Sequence, residues 1–197
     1  MPEGGIKSVV VDTDVLVCSV RSDESPKRQE RSRDLRSAMF RLRITWVQCQ
    51  ALKEQLESKK KTLMTPRQVD AISAWESSMA RRGLYRFVKH EVNDDLRSRI
   101  QRELGQREHD VHLVEAALAS DRCVCSGDKK ACIPLCEVAG EVPELQTICW
   151  LCLDDKELPP ARALEYKLSE PQLEKRRLSL GHPFNLEVAG RDRGDRL

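Results

Sequence analysis

Four apolar, β-prone runs separated by stretches of helical spacing predict a three-layer α/β/α protein. Its central sheet is expected to be parallel, because strands joined through helices return to the same direction. The runs are KSVVV (7–11), ITWVQC (44–49), RCVCS (122–126) and TICWLCL (147–153). A second observation is size: 197 residues suffice for one domain with a substantial core and a flanking segment. The third is a change of character at Leu158, where PPARALEYKLSEPQLEKRR brings prolines and charges with few large apolar residues. Residues 1–157 therefore read as the domain. Residues 158–197 read as a C-terminal extension or tail, part helical and part disordered.

The first run is short, continuous and apolar, as a strand covered on both faces must be. A basic stretch of helical spacing follows from Pro26 to Arg43. ITWVQC supplies the second strand, and ALKEQLESKK continues it as a helix ending in the cluster Lys59 to Lys61. Thr65-Pro66 joins an N-cap to a proline at the first helical position, so RQVDAISAWESSMARR runs as a helix to its cap at Gly83. After LYRFV comes a charged helix over 94–107. HDVHLVEAALAS (109–120) then sets Val111, Val114 and Leu118 on one apolar stripe ahead of the last two strands.

Net charge is only +2, so charge can speak for a partner only through its distribution. Between Pro26 and Arg43 seven basic residues face two acidic ones. Such a run is either a solvated helix face or a rim for phosphates, with Arg28, Arg31, Arg36 and Arg43 as the contacts. MPEGGIKS has no apolar core of the signal-peptide kind, and no run approaches the length needed to cross a bilayer. A cytoplasmic protein without a membrane partner is the expectation. Its eight cysteines are then reduced thiols rather than a disulfide framework. Cys123 and Cys125 share one face of a strand, Cys149 and Cys152 take opposite faces, and Cys132 and Cys136 form a third close pair. Zinc is the competing reading of these pairs.

VVVDTDVLV (9–17) poses the functional question, since an unpaired carboxylate beside a buried strand costs several kcal/mol. In an open parallel sheet the crevice lies at the carboxyl ends of the strands. Asp12 follows the first strand, and Glu54 sits one turn into the helix after the second. Asp110 opens the helix that leads to the third, and Asp128 follows that strand. Four acids from separate parts of the chain thus reach one edge. Oxygen ligands without histidine suit Mg2+ or Mn2+, which can activate water and neutralise a phosphodiester.

VVVDTDVLV resembles the opening strand of PIN domains, an apolar run followed by Asp-Thr/Ser-Asn/Asp. DVHLVEAALASDRCVCSGDKK (110–130) is similar to their later segment, including the 18-residue step from Asp110 to Asp128. The resemblance covers roughly residues 6–153. It implies a PIN-like fold and a metal-dependent endoribonuclease, with many bacterial members acting as toxins held by an antitoxin. Asp12, Glu54, Asp110 and Asp128 would be the catalytic, metal-binding acids, with Glu57 as substitute for Glu54. Thr13, Asp14 and Ser126 would support them, and Lys129 and Lys130 would join the arginines on the nucleic acid. The implied partners are an RNA substrate, an antitoxin-type inhibitor and a second copy of the chain as homodimer. Two other classes remain open: a catalytically inactive PIN-like module binding RNA or protein, and a cysteine-ligated zinc scaffold for interactions.

Overall fold

A computed structural model of the chain describes residues 5–89, 94–104, 110–167, 169–179 and 181–183. Five parallel strands form one sheet, β1 (Ser8–Val11), β2 (Thr45–Gln48), β3 (Tyr85–Phe87), β4 (Cys123–Ser126) and β5 (Cys149–Cys152), in the order β3-β2-β1-β4-β5. Side chains alternate across it. Val9, Val11, Trp46, Cys123, Cys125, Cys149 and Leu151 enter one core layer, while Val10, Val47, Val124 and Trp150 enter the other. With helices over both layers the fold is α/β with three layers, and the continuous apolar strands follow from double-sided burial.

On the first face lie α1 (Thr13–Cys18), α2 (Pro26–Leu42) and α4 (Pro66–Arg81); on the second lie α5 (Asp94–Leu104), α6 (Val111–Leu118) and α7 (Lys129–Val138). Capping chemistry sets the long helices. Ser25 accepts from the Arg28 N–H at 3.3 Å with Pro26 behind it, and Arg43 closes α2 in the left-handed region at φ 56°. Gln68 accepts from the Thr65 N–H at 2.9 Å at the start of α4, and Gly83 ends that unit at φ 67°. Trp46 packs at a tilt against Trp75 with centroids 4.8 Å apart and against Tyr85 at 5.2 Å, which fixes α4 over β2 and β3.

α3 (Gln50–Leu63) takes another path. Leu52 packs in the second layer, Leu56 in the first, and Lys59 reaches Thr13 and Asp14 beyond β1. The helix therefore passes across the carboxyl edge of the sheet instead of returning along a face.

The structure departs from the sequence reading in four places. VLVC (15–18), left without an element, is helical, since Asp12 caps α1 and packing overrides the β preference of its valines. LYRFV holds a fifth strand, β3, whose three residues are too few to show alternation. α7 spans Pro134, a residue that reads as a helix breaker. The segment after Leu158 is packed rather than appended, at least through residue 183. Leu158, Ala163, Leu164 and Leu173 join the first layer, and Leu178 joins the second. Within this segment α8 (Pro160–Ala163) rests on α2 and is followed by α9 (Pro171–Glu174). Arg176 accepts from the Trp150 N–H at 2.7 Å and Leu178 donates to Ile148 at 3.0 Å, so residues 176–178 cover the outer edge of β5. Residues 105–109, the end of the charged helix and the start of the next, lie outside the described residues, as do 184–197.

One buried ion pair holds that segment. Arg176 Nε donates to Asp155 Oδ2 at 2.7 Å, and Asp155 Oδ1 accepts from the Glu157 and Leu158 N–H groups at 2.9 and 3.0 Å. Removing one member leaves a buried charge unmatched. Asp155→Ala is expected to lower the unfolding free energy by about 3–5 kcal/mol in urea titrations. A loss below about 1 kcal/mol, the range of exposed pairs, would show that the C-terminal segment is not part of the cooperative unit.

Candidate functional site

Strand order reverses between β1 and β4. The chain leaving β1 enters α1 on the first face and the chain leaving β4 enters α7 on the second, so the place where open α/β sheets form their crevice lies between the two strand ends. Asp12 and Ser126 stand on either side of it. The Asp12 N–H donates to Cys125 at 2.9 Å, which draws the acid against β4.

The Asp12 carboxylate is buried, 7% exposed, yet it is met by donors on both oxygens. Ser126 Oγ donates to Oδ2 at 2.7 Å and itself accepts from the Asp128 N–H at 3.0 Å. Oδ1 accepts from the Asp14 N–H at 3.2 Å and from Thr13 Oγ1 at 3.4 Å. Lys59 Nζ donates to Thr13 Oγ1 at 2.8 Å and to Asp14 Oδ1 at 2.6 Å. Two relays thus end on one carboxylate: Asp128 N–H through Ser126, and the Lys59 ammonium through Thr13. Each polarises a hydroxyl toward Asp12. Burial pushes the Asp12 carboxyl above its ordinary value, with the neighbouring Asp14 charge adding to it, while the Ser126 hydrogen bond pulls the other way.

The remaining acids are placed unevenly. Asp110 occupies the N-cap position of α6, half-buried. The start of that helix meets the end of β2, where Cys49 Sγ lies 3.9 Å from the His112 carbonyl. Asp110 therefore shares the carboxyl edge. Asp128 is exposed beside the crevice. Glu54 is exposed on α3 and accepts from Gln50 Nε2 at 2.6 Å. Glu57 pairs with Lys60 at 2.7 Å, and Lys60 pairs in turn with Glu76. Among the described residues, the His, Cys, Asp and Glu ligand atoms that gather in threes within 4.8 Å are those of Cys132, Cys136 and His182, and the four acids do not gather so. Acids spread in this way offer no closed cage, and only an ion that keeps several waters and takes one or two direct carboxylates would suit them.

Of the proposed phosphate contacts, three arginines have structural employment. Arg28 donates to the Gly127 carbonyl at 3.0 Å and pairs with Asp154 at 3.2 Å and Glu24 at 3.2 Å. A Cβ on residue 127 would lie 2.8 Å from that guanidinium, so glycine permits the approach. Arg31 donates to the Leu153 carbonyl at 2.9 Å. Arg36 donates to Ser19 at 2.7 Å and lies 5.2 Å over the Trp75 ring, and burial brings its guanidinium down to about 10. Arg43 is exposed and Lys129 half-exposed, whereas the Lys130 side chain lies outside the described residues.

Sequence reasoning passed over Lys59, Glu115 and His182. Lys59 had a signal, for it extends the Leu52, Leu56 stripe of α3 by three residues and so marks a cation on a buried helix face. Glu115, buried on α6, is joined to Arg97 at 3.0 Å, and in the sequence it sits unmarked inside an apolar stripe. His182 meets Cys132 only through the packing of the C-terminal segment. All eight cysteines are free and buried, as the reduced-thiol reading expects. No described helix is long and apolar enough to cross a membrane.

Compared with protein-family models, curated proteins and solved structures, the chain finds no match.

Two outcomes follow from the geometry. A carboxyl raised in the folded state keeps its proton where the unfolded chain has lost it. Its contribution to stability therefore falls as pH rises from 3.8 through the raised value, and stays lost at neutral pH. Asp12→Asn is expected to remove this slope and leave the neutral-pH urea midpoint level or higher; a clearly lower midpoint would mean that the donors outweigh burial. Replacing Arg28 and Arg31 by glutamine is expected to reduce stability while leaving the salt slope of single-stranded RNA binding unchanged. A slope reduced by about 0.7 per arginine would instead make them phosphate contacts.

Proposed function

We propose that the protein is a divalent-metal-dependent nuclease, with RNA as its substrate, acting at the carboxyl edge between β1 and β4. The observation that carries this reading is Asp12, a buried carboxylate at the strand-order reversal with hydrogen-bond donors arranged around its anionic form. The likeness of VVVDTDVLV and the 110–130 segment to PIN domains supports it from the sequence.

In this reading Asp12 and Asp128 hold the ion, with Asp110 contributing from α6 and Glu54 standing outside the set. Bound there, Mg2+ or Mn2+ would acidify a water ligand and neutralise charge building on the phosphodiester. The protein's own part is positional. Ser126 fixes the rotation of the Asp12 carboxylate and couples it to the backbone of the Asp128 turn. Thr13 does the same for the other oxygen under the pull of Lys59. The Lys59 ammonium, paired with exposed Asp14, sets a positive charge on the rim where a phosphate backbone would pass.

A mixed RNA pool incubated with and without Mn2+ tests the proposal. The wild type is expected to cut only with metal, and Asp12→Asn to lose cleavage while keeping its fold. Ser126→Ala is expected to fall about 10- to 100-fold, as for loss of a residue that orients a ligand. Calorimetric Mn2+ titration of Asp110→Asn, Asp128→Asn and the double variant adds a spatial check, with the double loss expected well below the sum. Metal-independent cutting, full activity in Asp12→Asn, or no cutting by the wild type would overturn the reading.

A further inference from the structure

On the second face, away from the crevice acids, Cys132 and Cys136 stand one turn apart on α7, so both sulfurs leave the same side of the helix. The two Sγ atoms are 3.7 Å apart. His182, from the C-terminal segment, brings Nδ1 to 3.7 Å and Nε2 to 3.8 Å from Cys132 Sγ. All three side chains are fully buried, and their ligand atoms lie within 4.8 Å of one another.

These lengths match a tetrahedral ion. Ligand atoms on a regular tetrahedron are separated by about 1.63 bond lengths, so a Zn–S bond of about 2.3 Å gives S···S of about 3.8 Å, and S···N is slightly shorter. Packed thiols alone would also sit near this distance, and the surroundings decide between the two. His182 Nε2 lies 3.3 Å from the Trp150 carbonyl, and donation there leaves Nδ1 as the lone-pair nitrogen facing Cys132. Metal-bound histidines are held in this way, the second ring N–H given to a carbonyl.

We propose that Cys132, Cys136 and His182 form a zinc site, two thiolates and one imidazole on a single ion with water in the fourth position. Two thiolates and an imidazole favour Zn2+ over the hard cations suited to the crevice. Binding deprotonates both thiols, so each Zn2+ taken up releases two protons as the two Zn–S bonds form. Because His182 comes from the segment that covers β5 and the cysteines from α7, the ion ties the end of the described chain to the second layer. This proposal does not depend on the nuclease reading.

The full chain, purified under reducing conditions, is to be analysed for zinc by plasma mass spectrometry. It is then stripped and titrated with Co2+ as a spectroscopic probe. The expected result is about one zinc per chain and a thiolate-to-cobalt charge-transfer band with tetrahedral ligand-field absorption. Zinc is expected to raise Tm and a chelator to reverse the rise. Cys136→Ser and His182→Gln are expected to lose the zinc, while Cys18→Ser keeps it. The proposal is overturned if zinc-saturated wild type holds no stoichiometric metal and gives no cobalt band, or if both folded variants retain it. Should the variants fail to fold, the cobalt spectrum of the wild type alone decides.

Discussion

The contact on which the molecule depends is the seam between β1 and β4. Only Val10 with Val124 and Val11 with Cys125 are in register there, extended by the Asp12 N–H to the Cys125 carbonyl. On one side lie β2 and β3, built from residues before 90; on the other lies β5, built from residues after 148. The two halves of the chain meet at this seam, and its order reversal sends the following helices to opposite faces. The crevice and the pairing are therefore one feature. Asp12 takes part in both, through its backbone in the pairing and through its carboxylate in the crevice.

That double duty explains how a buried acid persists at the end of an apolar strand. Burial disfavours its charge, but Ser126, Thr13 and the Asp14 N–H each supply a donor. Two of these lead outward, one to a backbone amide and one to a lysine. Donors aimed at a carboxylate cost little reorganisation when that group is asked to carry charge. The same local rigidity is built into α2, whose Arg28 and Arg31 hold the turn after β4 and the end of β5.

Local chemistry was legible in the sequence where it was complete within a few residues. The strand KSVVV, the Thr65-Pro66 helix start and the Gly83 stop all carry their causes beside them. β3 and α7 did not, being respectively too short to show a period and interrupted by Pro134. The tail misled through composition: its prolines and charges read as solvated, while leucines spaced at 158, 164, 173 and 178 are each buried alone and form no run. The hydrogen-bonded group of Asp12, Thr13 and Ser126 was visible because each residue is contiguous with its strand. Glu54 was placed only by its distance from the second strand, one turn into α3, and the structure shows it exposed and accepting from Gln50. His182, 46 residues beyond Cys136, had no local partner to betray it.

The cover over β5 also has a history in time. Residues 176–178 shield the strand's outer edge, yet they are made some 24 residues after Cys152. At about 5–20 residues per second, synthesis leaves that edge bare for roughly one to five seconds after the strand is complete. During that interval CWLC offers unpaired amides and carbonyls flanked by apolar side chains, the pattern that invites pairing with another chain. Crowding of nascent chains on one message would thus meet its most hazardous moment between the last strand and its cover, well before the final fold exists.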